Sequence, residues 1–397
     1  MKTSPQRAED LGTALISYSP RLCYQLGVAT GDYDHDKFLA LGKLFECPIM
    51  DRTNTLFIEH STELVRRHLK LVNMYPIPEK ERFFDKSFEQ CMLDRADYYL
   101  DKFKAKKLNV LWSGGIDTTA VICAFLRRID ERGLDPGQII ATYCERSQQE
   151  YPLFYEQVIS KMHQEVIEGH VRDIVDGDRI LVTGDPADMI FGTYLMGVCL
   201  KRPAQGERNP LYGQLDAPWT ESIPRYLVHK GLLSNRANAI RSWLEWIQPF
   251  VNKCPIPCQT TFDFLWWGSF ALKYQHDLTR IFYNGTHPRI PPAVLRSVNN
   301  FYDCHDFTQW SYSFHDLKMA DHKVWASYKQ PLKEFIRNYT GDDEYYRGKL
   351  KTRSVCNAWG YDVAIDSKWN RIQFGEYSIS IDQMRKKYGP AGFERYV

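Results

Sequence analysis

The chain has 397 residues, a formal net charge of +2, 44% hydrophobic and 25% charged residues, a balance that suits a globular chain of two or three domains with a large core. Near-neutrality removes any general electrostatic reason to bind nucleic acid and leaves a local basic patch as the route to it. Residues 1–10 hold no apolar leader, runs such as Phe264 to Trp267 are too short to span a bilayer, and the ten cysteines are scattered, so the expectation is a cytoplasmic chain with reduced thiols and no membrane partner.

Residues 1–103 read as mainly helical, with Leu64, Val65, Leu69 and Leu71 at helical spacing in Ser61 to Val72 and a second helix from Phe88 to Phe103. In residues 104–204, Leu108 to Trp112, Gln138 to Cys144 and Arg179 to Thr183 read as buried strands. Helices are expected after the first two, from Thr118 to Ile129 and from Tyr151 to about Val175. Such alternation predicts an α/β fold with a parallel sheet, right-handed crossovers and a ligand at the carboxyl ends of the strands, where Tyr143, Cys144 and Glu145 would flank it or, for Tyr143, simply fill the core.

Residues 205–340 read as a large helical addition rich in aromatics, among them Phe262, Phe264, Trp266, Trp267, Phe270 and Trp310. Stripes of this kind are core more often than ligand platform. Cys254-Pro-Ile-Pro-Cys258 is the one cysteine pair to weigh as a metal site, against a reading as thiols beside a proline-stiffened turn. Residues 341–397 carry the basic cluster Arg347-Gly-Lys349-Leu-Lys351-Thr-Arg353, followed by short strands at Tyr361 to Ile365, Trp369 to Phe374 and Tyr377 to Ile381.

Two stretches carry chemistry. Leu111-Trp-Ser-Gly-Gly-Ile-Asp-Thr-Thr119 runs from a strand end through a double glycine into a helix. Gly114 and Gly115 allow bare backbone N–H groups to approach an anion at a helix N-terminus, and the hydroxyls of Ser113, Thr118 and Thr119 can donate to it. Asp117 would repel a phosphate directly but suits Mg²⁺, which bridges carboxylates to phosphates. The loop therefore points to ATP with Mg²⁺, although no G-x-x-x-x-G-K-[ST] occurs. The second stretch, Gly184-Asp-Pro-Ala-Asp-Met-Ile-Phe-Gly-Thr-Tyr194, also follows an apolar run. Read blandly, it is a strand-to-helix turn in which Asp185 or Asp188 caps the helix.

The first stretch resembles the signature of the PP-loop ATP pyrophosphatases, which cleave ATP between its α and β phosphates. The second resembles the Gly-Glu-x-x-Asp-Glu-x-Phe-Gly-Gly-Tyr motif of the asparagine synthetase family within them. That resemblance implies a PP-loop core over residues 104–204 in which Ser113, Gly114, Gly115, Asp117, Thr118, Thr119 and Gly184 hold the nucleotide. It further implies that Asp117 and Asp188 bind Mg²⁺, that Asp185 orients or deprotonates an amine, and that Lys351, or else Lys349, reaches the phosphates from the C-terminal loop. Three positions depart from the motif: Asp185 is shorter than the glutamate, Met189 replaces an acid, and Thr193 replaces a glycine. Position 2 is Lys2 and the first cysteine is Cys23, so the N-terminal cysteine nucleophile of the glutaminase-bearing members is not expected.

The implied function is an AMP-forming carbon–nitrogen ligase that adenylates a small-molecule carboxylate and passes the acyl group to an amine, or to ammonia from a separate source. Two alternatives remain open to the sequence: a PP-loop enzyme modifying a nucleobase in tRNA or DNA, and a non-catalytic protein that binds ATP to order an interaction surface.

Overall fold

The computed structural model describes residues 35–45, 51–53, 55–56, 75–168, 174, 179–205, 207–275, 277–278, 297–351, 371–374 and 377–380. The helix expected over Ser61 to Val72 and the strand over Tyr361 to Ile365 lie outside them. The chain divides into two compact units, one formed by Met1–Ile77, Arg202–His276 and Val363–Val397, the other by Pro78–Lys201 and Asp277–Asp362.

The second unit is built on a five-stranded parallel sheet. Its strands are β1 (Leu108–Leu111), β2 (Ile139–Tyr143), β3 (His163–Val166), β4 (Ile180–Thr183) and β5 (Val298–Asn300), in the order β3-β2-β1-β4-β5. β1 and β4 are buried at every position, as inner strands of a parallel sheet should be, and the buried Asn109 of β1 is satisfied by donating to Thr142 Oγ1 and Glu165 Oε2, both at 2.9 Å. In register, Leu108 pairs with Ile139 on one side and Ile180 on the other. Successive strands move outward from β1 in one direction through β2 and β3, and then in the other through β4 and β5. The chain thus reverses between β1 and β4, and the carboxyl ends of strands at such a reversal are where α/β sheets commonly bind ligands.

Three helices, Phe88–Lys102, Ile116–Arg132 and Gln330–Thr340, pack against one another beside this sheet. The first starts where the Ser87 hydroxyl accepts the Gln90 N–H at 3.1 Å. The second ends at Gly133, whose φ of 61° gives the left-handed stop that glycine tolerates. Arg128 joins them by an ion pair to Asp97 at 2.5 Å.

One sequence expectation is overturned here. Tyr151 to about Val175 is not a single helix: Pro152–Gln157 is helical, a 3-10 turn follows at Ile159–Lys161, and His163–Val166 forms β3. β3 lies at the sheet edge with three of its four residues exposed, so no apolar alternation marks it as a strand. β5, three residues long, escaped the sequence reading for a similar reason.

In the first unit the aromatic segment is core. Phe262, Phe264, Trp266, Trp267 and Phe270 are buried, Trp219 stacks on Phe264 at 4.8 Å, and the Arg52 guanidinium sits 3.9 Å from the Tyr274 ring centroid. The Thr261–Gly268 helix begins with a reciprocal capping box between Thr260 and Asp263. β6 (Arg371–Phe374) and β7 (Tyr377–Ser380) form an antiparallel pair. Among the described residues no helix is long and apolar enough to cross a membrane.

Candidate functional site

Each of the two neighbouring strands β1 and β4 feeds a short loop that opens into a helix. After β1, the Thr118 hydroxyl accepts the Ser113 N–H at 3.0 Å and lies 3.0 Å from the Ser113 hydroxyl, closing the loop on itself. Gly114 has a φ of +75°, and a Cβ there would stand 2.3 Å from the Ser147 carbonyl oxygen and 2.6 Å from Glu150 Cβ. Only glycine lets the loop lie this close to the Glu145–Glu150 helix. The Ile116–Arg132 helix begins at Gly115, which supplies no side-chain cap, and Asp117 in its first turn is the acidic group at its positive end. Thr119 plays a different part from Thr118: it is fully buried and its hydroxyl accepts the Trp112 indole N–H at 3.1 Å, bracing the core beneath the loop. Tyr143 is also core, its ring edge-on to Trp112 at 5.8 Å.

The loop after β4 is pressed against the first. A Cβ on Gly184 would come 2.8 Å from Thr118 Cγ2 and 3.3 Å from the Thr118 amide nitrogen, so glycine is what allows the two segments to touch. Asp185 follows, its N–H donating to the Thr183 hydroxyl at 3.2 Å and its bond to Pro186 cis. The Ala187–Phe191 helix takes Pro186 as its N-cap with no side-chain cap bond. The N-cap position thus falls on Pro186 and not on either aspartate, and Asp188 lies in the first turn of that helix. The Ser311 hydroxyl holds the helix by donating to Ile190 O at 2.7 Å.

Asp117 and Asp188 converge on a residue that the sequence reading missed. The Lys329 ammonium donates to Asp117 Oδ1 and, at 2.5 Å, to Asp188 Oδ1, with its side chain wholly buried. Lys351 completes a four-member cluster, 3.1 Å from Asp188 Oδ1 and 3.4 Å from Asp117 Oδ2. Burial opposes its charge, but the carboxylates of Asp188 and Asp117 outweigh that and hold the Lys351 ammonium above its ordinary pKa. Burial, with Asp188 and Asp117 nearby, pushes the Tyr328 phenol up, and burial, with Asp117, does the same for Tyr302. Both phenols are therefore neutral donors, Tyr302 to Asp117 O at 3.0 Å and Tyr328 to Gly192 O. Lys349 does not join the cluster: it pairs with Glu150 Oε1 at 2.6 Å, beside the glycine loop.

Lys329 immediately precedes the Gln330–Thr340 helix and is the one non-glycine residue with positive φ, 59°, among the described residues. A cation at a helix start opposes the helix dipole, and a left-handed lysine is strained. That juxtaposition, a lysine just before Gln330-Pro331, was the signal available in the sequence. The Trp325 indole N–H donates to Lys351 O at 3.1 Å, and its ring stacks on Tyr328 at 4.6 Å, so one side chain supports both lysine-bearing segments.

Chemically, the arrangement places two carboxylates and two ammonium groups in contact at the start of the Ile116–Arg132 helix. Among the described residues no group of three or more His, Cys, Asp or Glu is placed to hold a metal by itself. Two carboxylates do fit Mg²⁺, which takes one or two from protein and completes its shell with phosphate oxygens and water. Cys254 and Cys258 are free thiols, the Cys258 thiol raised by its hydrogen bond with Cys254 and by burial. No known protein family matches the chain by its sequence profile, and no curated protein matches it significantly.

Proposed function

We propose that this chain is an ATP-dependent carbon–nitrogen ligase of the asparagine synthetase-like PP-loop kind, forming AMP. The observation that carries the reading is the convergence of Asp117 and Asp188, from the ends of adjacent strands, on Lys329 and Lys351. A crevice at such a strand reversal is where α/β sheets bind ligands.

In this reading the amides and hydroxyls of Ser113, Gly114, Gly115 and Thr118 cradle the nucleotide's phosphates. Asp117 and Asp188 hold Mg²⁺, which when bound offsets charge on the pyrophosphate. Lys329 and Lys351 add positive charge where pyrophosphate leaves, and such preorganised groups are commonly the largest contribution to catalysis. The substrate carboxylate attacks the α-phosphate, displacing pyrophosphate and giving an acyl-adenylate. A neutral amine then attacks the acyl carbon and AMP departs, with Asp185 placed on the second loop to orient the amine or accept its proton. Met189, which stands where the family motif has an acid, is fully buried. Lys349, held by Glu150, supports the glycine loop rather than the leaving group in this scheme.

Incubation of the purified chain with ATP, Mg²⁺ and panels of carboxylates and amines should release AMP and pyrophosphate, with Asp188→Asn reducing the rate at least about hundredfold. ADP and phosphate as products, or full activity in Asp188→Asn, would overturn the assignment.

A further inference from the structure

Resting on that nucleotide reading, we propose that Lys329 and Lys351 stand in for a divalent cation while the site lacks nucleotide, so that free metal is kept out and enters only together with a nucleotide. The cluster is electrically balanced, with two carboxylates facing two ammonium groups. Lys329 bridges both aspartates with none of its side chain exposed, and Lys351 contacts both with 17% of its side chain exposed. A hard cation arriving alone would have to displace ammonium groups already seated on the carboxylates. It would gain in return only two protein ligands, since no third acidic or histidine donor joins them among the described residues. Mg²⁺ gives up its water reluctantly and needs six oxygens, so that exchange is unfavourable.

A triphosphate changes the balance because it brings both oxygen ligands and negative charge. Lys329 and Lys351 can then trade carboxylate oxygens for phosphate oxygens, and Asp117 and Asp188 trade ammonium groups for the metal. Every charge keeps a partner through the exchange, which matters because an unpaired buried charge is strongly destabilising. The backbone need not move. Lys329 N–H is fixed to Lys318 O at 3.0 Å, and Lys351 O is held by the Trp325 indole at 3.1 Å, so the exchange requires rotation of side chains alone. Metal and nucleotide therefore bind with positive coupling, each raising the affinity of the other by the same factor.

The test is titration of the full chain with Mn²⁺ at neutral pH, read by the electron paramagnetic resonance of free Mn²⁺, with and without a non-hydrolysable ATP analogue. Wild-type protein without nucleotide should bind Mn²⁺ weakly, and the analogue should tighten binding on the order of tenfold or more beyond its own hold on the ion. Lys351→Met should raise Mn²⁺ affinity in the absence of nucleotide about tenfold, and adding Asp188→Asn should remove the gain. Tight one-to-one binding by nucleotide-free wild type that Asp117→Asn abolishes overturns the proposal, and this arm needs no lysine variant to fold. A Lys351→Met protein that melts like wild type yet binds Mn²⁺ no more tightly also overturns it. Tight Mn²⁺ binding by wild type leaves the nucleotide reading intact, whereas a gain in Lys351→Met by a chain that binds no analogue sinks the nucleotide reading alone.

Discussion

Gly114 shows how much of the site rests on one missing methyl group. Its φ of +75° and the 2.3 Å approach of a built Cβ to a backbone carbonyl, which cannot swing aside, set it apart from Gly133, where φ is +61° and nothing lies within 4 Å. Gly133→Ala should cost about 1 kcal/mol, the penalty of a left-handed alanine, whereas Gly114→Ala should cost more than about 2 kcal/mol in urea denaturation. Equal losses would show that the loop does not lie against the Glu145–Glu150 helix. Lys333 offers a second reading at this scale. Burial brings its ammonium down to about 8 from 10.5, and it donates to Ala326 O. The folded protein therefore holds that proton less tightly than the unfolded chain. Below pH 8 both states are protonated and the burial cost is felt in full. As pH rises from about 8 toward 10.5 the unfolded chain carries the extra proton, and folded stability rises. Wild type should accordingly gain on Lys333→Met in urea midpoint across that window, and a constant difference would refute the shift. Among the charged residues of the cluster, Asp117 and Asp188 stand within the two motifs, and Lys351 is one of two candidate lysines in the basic stretch that follows. Lys329 has no such frame, because what singles it out is a backbone conformation and complete burial, and its place just before Gln330-Pro331 is a weak sign of the first and none of the second.

Among the elements, the segment from Trp325 to Lys351 is organised around a single indole. Trp325 packs so tightly on Gly197 that a Cβ there would lie 2.7 Å from its ring, stacks on Tyr328, and donates to Lys351 O. Trp325→Phe keeps the ring contacts and removes the donor. It should lower stability by about 1 kcal/mol and speed amide hydrogen exchange in residues 349–351, with β1 and β4 unchanged. Unaltered exchange there would show that the Lys351 strap is held by something else. Strand legibility follows burial in the same way. β1, β2 and β4 are inner strands whose apolar runs can be read directly, whereas β3 and β5 are edges. His163-Gln-Glu-Val and Val298-Asn-Asn have little apolar face to betray them, and hydrogen bonds to an inner neighbour, which depend on tertiary context, define both.

At the level of the whole molecule, the α/β class could be read because strand–helix alternation is local. Both units are discontinuous in sequence: the chain leaves the sheet-bearing unit at Lys201, close to the boundary expected between residues 204 and 205, and re-enters at Asp277. Nothing in composition marks the return, since the aromatic residues on either side of it are equally apolar. The route of the chain also sets an order of assembly. β4 closes at Thr183, yet its outer neighbour β5 begins only at Val298, and Lys329 and Lys351 lie later still. During synthesis on the ribosome, β4, paired only with β1 on its inner side, must therefore wait as an apolar edge until the far segment emerges, and the two aspartates wait without their counter-charges. A nascent chain halted between these points would display a sticky strand, so this protein should depend on holdase chaperones during translation far more than its finished sheet, in which β5 covers β4, would suggest.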